Sequence, residues 1–414
     1  MLSCVLLRNL FLPYLLWATL SAALAGTAYG QEPDYSKKET CQYEPACNSL
    51  LVEIENGKKE LGSLTLAHQP KALKYANVIK RSDGIEIRRT ITDFSWKEVG
   101  LKLLNLDTGS TRIVKILKQG ARLINTDPDF TIGFENRPAG LMWNDWNTAF
   151  TVKDVKDGGK WVVILNKFPR RLKSGKREDV IYSPYSTDLH TSELVNSGLA
   201  YLRSKTSDSI IELWLTKKIW PDSVAMNPLE SELDLGGNLD LKGFIERLAL
   251  IEQVDPFEFY EFRRGAWPYN PNERMLVILA INKESAYSIT SSPASASGIM
   301  QFTLGTWNLM RQAYPWARLP AFEAGTRNHE ESIKAAALLQ NYNLKMLKSA
   351  LGPEVVKDPD IEHFLAAGYN GGITPVIKAI KQAKKEKTGW RQELRKLKKT
   401  SESIDYLDKL DYLL

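Results

Sequence analysis

Asn270-Pro271-Asn272-Glu273-Arg274-Met275-Leu276-Val277-Ile278-Leu279-Ala280-Ile281-Asn282-Lys283-Glu284-Ser285 is the stretch on which the reading of this chain turns. Asn270 is a good N-cap, Pro271 suits the first helical position, and Glu273 falls three residues after the cap. From Met275 to Ile281 the residues are almost wholly apolar, so the helix they form is expected to be buried on most sides. Glu284 stands at its end. A carboxylic acid there is expected to lose hydration, which raises its pKa and suits it to general acid work. Taken alone this carries little, because a glutamate at a helix end is usually a surface residue.

The residues downstream add to it. Ser285 to Ser297 is rich in Ser and Ala, contains Pro293, and carries no charge. Gly298-Ile299-Met300-Gln301-Phe302 follows. Gly298 allows a ligand or a neighbouring backbone to approach closely. Met300 offers an adaptable apolar wall, and Gln301 a two-sided hydrogen-bonding group suited to an amide. Farther on, Tyr369 and Asn370 precede Gly371-Gly372, where a helix is expected to end. Helical periods also run over Leu241–Gln253, through Phe244, Leu248 and Ile251, and over Glu331–Leu347 and Asp360–Ala367.

Glu284-Ser285, Gly298-Ile299-Met300-Gln301 and Tyr369-Asn370-Gly371-Gly372, in that order, resemble the three signatures of the lytic transglycosylase SLT domain family. That family is the goose-type-lysozyme-like branch of the lysozyme superfamily. The resemblance covers roughly residues 270–380, extending at most to about 410. It implies Glu284 as sole acid/base, with Ser285 orienting the acid or the substrate. Met300 and Gln301 would line the glycan groove, Tyr369 would hydrogen-bond near Glu284, and Asn370 would contact an acetamido group. Glu402-Ser403-Ile404-Asp405-Tyr406 stands loosely for the family's Glu-Thr-x-x-Tyr segment and brings Glu402 to the substrate side. The chain departs from the pattern at Ser295-Ala296, in place of Gly-Ala, and at Leu304-Gly305-Thr306, in place of Pro-Ser-Thr. No Asp or Glu lies between Glu284 and Glu323. A partner carboxylate for a two-carboxylate mechanism is therefore missing locally, although a distant one is free to fold in. The resemblance implies cleavage of peptidoglycan glycan strands, with the muramyl 6-hydroxyl closing a 1,6-anhydro ring. The residues alone allow water instead, as in a muramidase-type hydrolase. They also allow a lysozyme-like wall-binding scaffold without turnover.

The rest of the chain frames this segment. At 414 residues it is long enough for more than one domain, and 43% of it is apolar. Its 55 Lys+Arg against 49 Asp+Glu leave a formal charge of +6, a mild excess that fits an anionic polymer and is too weak to indicate nucleic acid. Residues 1–30 read as a secretory signal peptide, with Arg8, an apolar run and small-residue exits at Ala23-Leu24-Ala25 and Ala28-Tyr29-Gly30. The alternative is an uncleaved anchor. A periplasmic or otherwise exported protein of the cell envelope is expected. Residues 31–48 form a polar tether in which Cys41 and Cys47 are either a small disulfide loop or two free thiols.

Residues 49–220 read as β-rich. Expected strands are Leu51–Glu55, Gly84–Ile91, Arg112–Leu117, Phe130–Phe134, Ala149–Val152, Lys160–Leu165 and Ile210–Leu215, with some helix near Ser192–Arg203. Residues 221–241, whose charges are acidic, read as a linker. The fold class is therefore α+β: a β-rich N-terminal domain, then a mostly helical lysozyme-like domain over 242–414. The basic segment 376–400 is either a solvated helix face or a contact with anionic wall polymer, a membrane surface or an envelope assembly.

Other signals are set aside. Asp107-Thr108-Gly109 has no second copy, so a turn between strands is expected rather than a paired-aspartate site. His68, His190, His329 and His363 lack metal-ligand spacing, and no phosphate-binding glycine loop occurs, so no metal and no cofactor are expected. Trp143, Trp146 and Trp161 are expected to pack in a core rather than stack on sugars.

Overall fold

A computed structural model describes residues 44–69, 73–80, 86–93, 96–119, 122–134, 148–171, 177–219, 240–267, 269–290, 292, 294–397 and 401–413. The expected signal peptide, most of the tether with Cys41, most of the linker, and Trp143 and Trp146 lie outside these residues, as does the Cys47 side chain. The chain divides into two units, Met1–Ser49 and Leu50–Leu414. Of the first, only residues 44–49 are described, as the opening of helix α1 (Glu44–Ser63).

The strands come next. Short β1 (His68–Gln69) precedes a separate antiparallel hairpin of β2 (Leu73–Lys80) and β3 (Glu86–Asp93). The main sheet contains β4 (Trp96–Asn105), β5 (Thr111–Gln119), β6 (Arg122–Asn125), β7 (Phe130–Phe134), β8 (Phe150–Asp154), β9 (Lys160–Arg171) and β10 (Arg177–Tyr182). Its order is β6-β5-β4-β9-β8-β7, with β1 on β4 and β10 on β9, and all its pairings are antiparallel. Alternation gives the sheet two apolar faces. Val99, Leu101 and Leu103 join Val114, Ile116, Phe130 and Phe168 in a small core. Leu104, Val162, Ile164 and Leu165 face the other way, into the larger core with Ile54 and Leu61 of α1. On that side the buried Lys102 ammonium reaches Glu60 at 2.8 Å, and Lys167 donates to the carbonyls of Gly62 and Leu64.

Two expected strands are helices. Leu51–Glu55 belongs to α1, where Ile54 and Leu61 are buried seven residues apart, a helical and not an alternating interval. Ile210–Leu215 belongs to α2 (Ser192–Ile219), whose buried Leu202, Thr206, Ser209 and Leu213 follow helical spacing. The β-branched pair Ile210-Ile211 favoured a strand locally, and packing of the helix overrode it. The Asp107 segment is the expected turn: Asn105 accepts from the amides of Asp107 and Thr108, and Gly109 has φ +71°. Trp161 packs edge-on against Phe130.

The helical part comprises α3 (Leu241–Glu252), α4 (Pro256–Arg263), α5 (Pro271–Asn282), α6 (Leu304–Ala313), α7 (Phe322–Arg327), α8 (His329–Leu351), α9 (Ile361–Gly371), α10 (Ile373–Glu386), α11 (Trp390–Lys396) and α12 (Ser401–Leu413). Asn270 caps α5 by accepting from the Asn272 amide, with Pro271 in the first turn. Gly372, at φ +80°, follows the last residue of α9. The larger core draws residues from both sides of 221–241, including Leu202, Phe244, Leu276 and Leu410. Helix α10 buries Ile373, Val376 and Ile380 and exposes Lys378, Lys381, Lys384 and Lys385, a solvated basic face. Among the described residues no helix is long and apolar enough to cross a membrane.

Helices α2 and α5 meet at a glycine. A Cβ on Gly198 would lie 2.0 Å from the Leu276 carbonyl oxygen, so nothing larger fits without parting the helices. A Cβ on Gly305, in the first turn of α6, would meet nothing. Gly198→Ala is expected to destabilise the protein by about 1–3 kcal/mol despite alanine's better helix propensity. Gly305→Ala is expected to be neutral or to stabilise by up to about 1 kcal/mol. Denaturant unfolding of both variants against wild type checks the pair.

Candidate active site

A cavity of about 490 Å³ opens where the segments singled out by sequence converge. The loop before α6 supplies Ser292, Ala296 and Gln301, and the end of α9 supplies Tyr369 and Asn370. Helix α12 supplies Glu402, Asp405, Tyr406 and Lys409. The remaining acid, Glu252, comes from the last residue of α3.

The loop is held rigidly. Ser297 and Phe302 exchange backbone hydrogen bonds of 2.9 and 3.1 Å across an isolated bridge. Gly298 has φ +80°, and a Cβ there would strike the Thr326 carbonyl oxygen at 2.1 Å. Its glycine therefore serves a neighbouring backbone. Gln301, itself at φ +46°, donates its amide to the Gly298 carbonyl at 2.7 Å and to the Thr290 hydroxyl at 3.4 Å. Its carboxamide oxygen is left as the acceptor.

Met300 departs from expectation. Its side chain is wholly buried in the core and does not line the cavity. Its backbone carbonyl accepts the Tyr369 hydroxyl at 2.6 Å, so the residue positions Tyr369 through the main chain. Tyr369 also stacks on Tyr406, and Asn370 accepts from the Ser403 hydroxyl at 3.3 Å. Gly371 lets α12 come this close, since a Cβ there would meet the Ser403 oxygen at 2.3 Å.

Glu284 and Ser285 do not line this cavity. Helix α5 ends at Asn282, whose buried side chain accepts from the Ser183 amide (2.8 Å) and donates to the Ser183 carbonyl (2.9 Å). Lys283 then takes φ +46°, and the chain turns outward in a short 3₁₀ turn, Lys283–Ser285. Ser285 is exposed. The Glu284 side chain is 58% exposed and pairs with Lys205 of α2 at 2.6 Å. Partial burial pushes its carboxyl up. The Lys205 hydrogen bond and charge outweigh that, helped by Tyr201 and His329, and Glu284 titrates below the usual carboxylate range. The expectation of a raised pKa is therefore corrected: the helix is buried, but its last acid leaves the buried face and finds a cation.

The raised carboxyl belongs to Glu252. Burial pushes it up to about 7, against the smaller opposing effects of the Tyr406 hydroxyl and the Lys409 charge. The buried Tyr406 hydroxyl approaches Glu252 without closing a full hydrogen bond. Lys409 is anchored by donating to the Val254 carbonyl at 2.5 Å. Next to Glu252, the Gln253 amide donates to the carbonyls of Gly298 (3.2 Å) and Ile299 (2.8 Å). The end of α3 is thus tied to the loop that carries Gln301. The sequence did hold a signal for Glu252: an acid directly after the apolar face Phe244, Leu248, Ile251, the pattern that drew attention to Glu284.

A carboxyl raised in the fold binds an extra proton between its unfolded pKa of about 4.5 and its folded value of about 7. The associated stability is fully present below the lower value and is lost as pH rises through the upper one. Between pH 5 and pH 8 wild type is expected to lose on the order of 2 kcal/mol more than Glu252→Gln. Denaturant unfolding of both proteins at the two pH values checks this.

Comparison with known proteins places these segments. Residues 262–390 match a family described as the transglycosylase SLT domain, which spans Glu284, Gln301, Tyr369 and Asn370. No curated protein and no solved structure matches the chain. Glu252, Glu402, Tyr406 and Lys409 lie outside the matched residues, on the helices that flank them. The C-terminal part of this chain, over residues 262–390, carries a lysozyme-like transglycosylase SLT domain.

Proposed function

We propose that the protein is a lytic transglycosylase that cleaves the MurNAc-GlcNAc β-1,4 bond of peptidoglycan and leaves a 1,6-anhydromuramyl end. The observation that carries this is the convergence of Gln301, Tyr369 and Asn370, from segments about 70 residues apart, on one cavity with a protonatable carboxyl. The Gln301 carboxamide oxygen and the Asn370 side chain suit the N-acetyl groups that mark this polymer. A protonated carboxyl gives its proton to the glycosidic oxygen as the C1–O bond breaks. The resulting carboxylate takes the proton of the muramyl 6-hydroxyl as its oxygen bonds to C1. One group thus serves as acid and then as base. The leader-like residues 1–30 support a location for this activity in the periplasm or elsewhere in the cell envelope.

A second reading has its own observation. The local absence of a partner carboxylate does not survive folding, because Glu402 and Asp405 of α12 reach the same cavity. A carboxylate that activates water would make the enzyme a hydrolase. Both side chains are exposed, and this favours the single-acid route. Purified full-length protein incubated with sacculi is expected to release fragments with anhydromuramyl ends by mass analysis. Reducing ends alone would establish the hydrolase. Binding to sacculi with no release would establish a scaffold.

A further inference from the structure

We infer that Lys205 of α2 is a positioning residue for Glu284, and that Glu330 of α8 shares it as a second partner. The inference rests on the proposed reaction with Glu284 as its acid, the role that the ordered signatures imply. Helix α2 lies wholly before the matched family residues, so this contribution comes from the rest of the chain. Tyr201 and Lys205 stand four residues apart in α2 and share one face of it. The Lys205 Nζ lies 2.6 Å from Glu284 and 2.6 Å from Glu330. The Tyr201 hydroxyl bonds to His329 Nδ1 at 3.0 Å, and His329 Nε2 reaches the Ala286 carbonyl at 2.5 Å. A carbonyl only accepts, so Nε2 carries the proton and Nδ1 accepts from Tyr201. Ser209, one turn farther along α2, donates to the Glu330 carbonyl at 3.2 Å. The turn that bears Glu284 is thus gripped twice: its carboxylate by Lys205, and its backbone two residues on by His329. The same segment runs into the cavity loop, where Thr290 accepts from the Gly298 amide at 3.2 Å and from Gln301 at 3.4 Å. The acid and the sugar-binding amide are therefore held in one connected frame.

A group that serves as acid and then as base works best when its two protonation states are close in free energy. Burial disfavours the carboxylate at Glu284, and Lys205 favours it by more. Glu330 draws on the same ammonium and so limits that pull. When Glu284 gives its proton to the glycosidic oxygen, Lys205 is already placed against the new carboxylate. When that carboxylate takes the proton of the muramyl 6-hydroxyl, Lys205 keeps Glu330 as its partner. The other groups facing Glu284 are Tyr201 from α2 and His329 from α8. Burial pushes His329 down, against the Ala286 carbonyl, and keeps it neutral. Lys283, in the same turn, is exposed. Removing the Lys205 ammonium leaves burial as the larger effect, so Glu284 keeps its proton to higher pH. Removing the Glu330 charge leaves the whole of Lys205 to Glu284, which then loses its proton at lower pH.

The test measures fragment release from dilute purified sacculi across pH for full-length wild type, Lys205→Met, Lys205→Arg, Glu330→Gln and Glu284→Gln, with circular dichroism to confirm folding. Glu284→Gln is expected to lower release by roughly 100-fold or more, in line with the loss of a general acid. In Lys205→Met the pH at which release falls to half is expected to move up by about one pH unit, a figure discounted for the exposure of Glu284. Lys205→Arg keeps the cation and is expected to restore the wild-type position. Glu330→Gln is expected to move the profile down, by about half a pH unit. A purely structural role for Lys205 would lower release without moving the profile in opposite directions in the two variants. If Lys205→Met does not fold, Glu330→Gln decides: a downward move supports the inference, and an unmoved profile overturns it. Coincident profiles for wild type and folded Lys205→Met, with Glu284→Gln inactive, overturn the inference and leave Glu284 as the acid. A profile moved equally in Lys205→Arg and Lys205→Met overturns it as well. Wild-type release from folded Glu284→Gln, or no release from wild type, overturns the inference together with the reading on which it rests.

Discussion

The Asn282 carboxamide exchanges two hydrogen bonds with the backbone of Ser183, directly after the last strand of the sheet. Both partners are buried, so breaking the exchange would strand polar groups away from water at a cost of about 1–3 kcal/mol each. This contact ends α5 and joins the helical part to the sheet. It also decides where the next residues go. With Asn282 pinned and Lys283 at φ +46°, Glu284 is carried out of the buried layer towards α2. The close approach at Gly198 brings α2 near enough for Lys205 to meet it. One buried amide therefore governs both the joint between the two layers and the electrostatic state of the acid that sequence singled out.

Two glutamates at the ends of two buried helices thus end in opposite states. Glu252 is the last residue of one apolar helix and Glu284 lies two residues past the end of another, each with its core face filled. Burial raises both. At Glu284 a lysine at 2.6 Å reverses the sign. At Glu252 the nearby cation, Lys409, is turned to the Val254 carbonyl and is itself buried, so its pull is weaker than the loss of water. The difference lies in which neighbour each helix end meets, a tertiary fact that no local pattern contains.

Much of the scaffold was nevertheless legible. Asn270 and Pro271 mark the start of α5, Gly372 the end of α9, and the alternation in β5, β7 and β9 part of the sheet, because caps, positive φ and period two are local rules, whereas the central strand β4 was not read. Gly298 was legible as a close approach, though its neighbour is the Thr326 carbonyl and not a sugar. Met300 was misread because a side chain's direction depends on the loop fold, and the bridge between Ser297 and Phe302 turns it into the core. Ile210 and Ile211 suggested a strand by propensity, but the heptad of buried positions around them required a helix. Glu252 was passed over because it lies 49 residues before Gln301 and belongs to no signature.

That separation bears on how the site is built. The matched family residues, 262–390, supply the cavity-lining loop that carries Gln301 and the Tyr369-Asn370 pair. They do not supply the raised carboxyl or the groups that answer to its charge. Those come from α3 before the match and α12 after it, which meet each other across the end of α9. The site is therefore a composite of three chain segments. The surroundings of Glu252 depend on α12 staying docked, because Tyr406 and Lys409 reach it from there. Gly371 suits that docking: a Cβ at this position would meet the Ser403 hydroxyl oxygen at 2.3 Å, which would have to turn away from Asn370. A glycine read in the sequence as the end of a helix is thus also a point of close contact between α9 and α12, the helix that carries Tyr406 and Lys409.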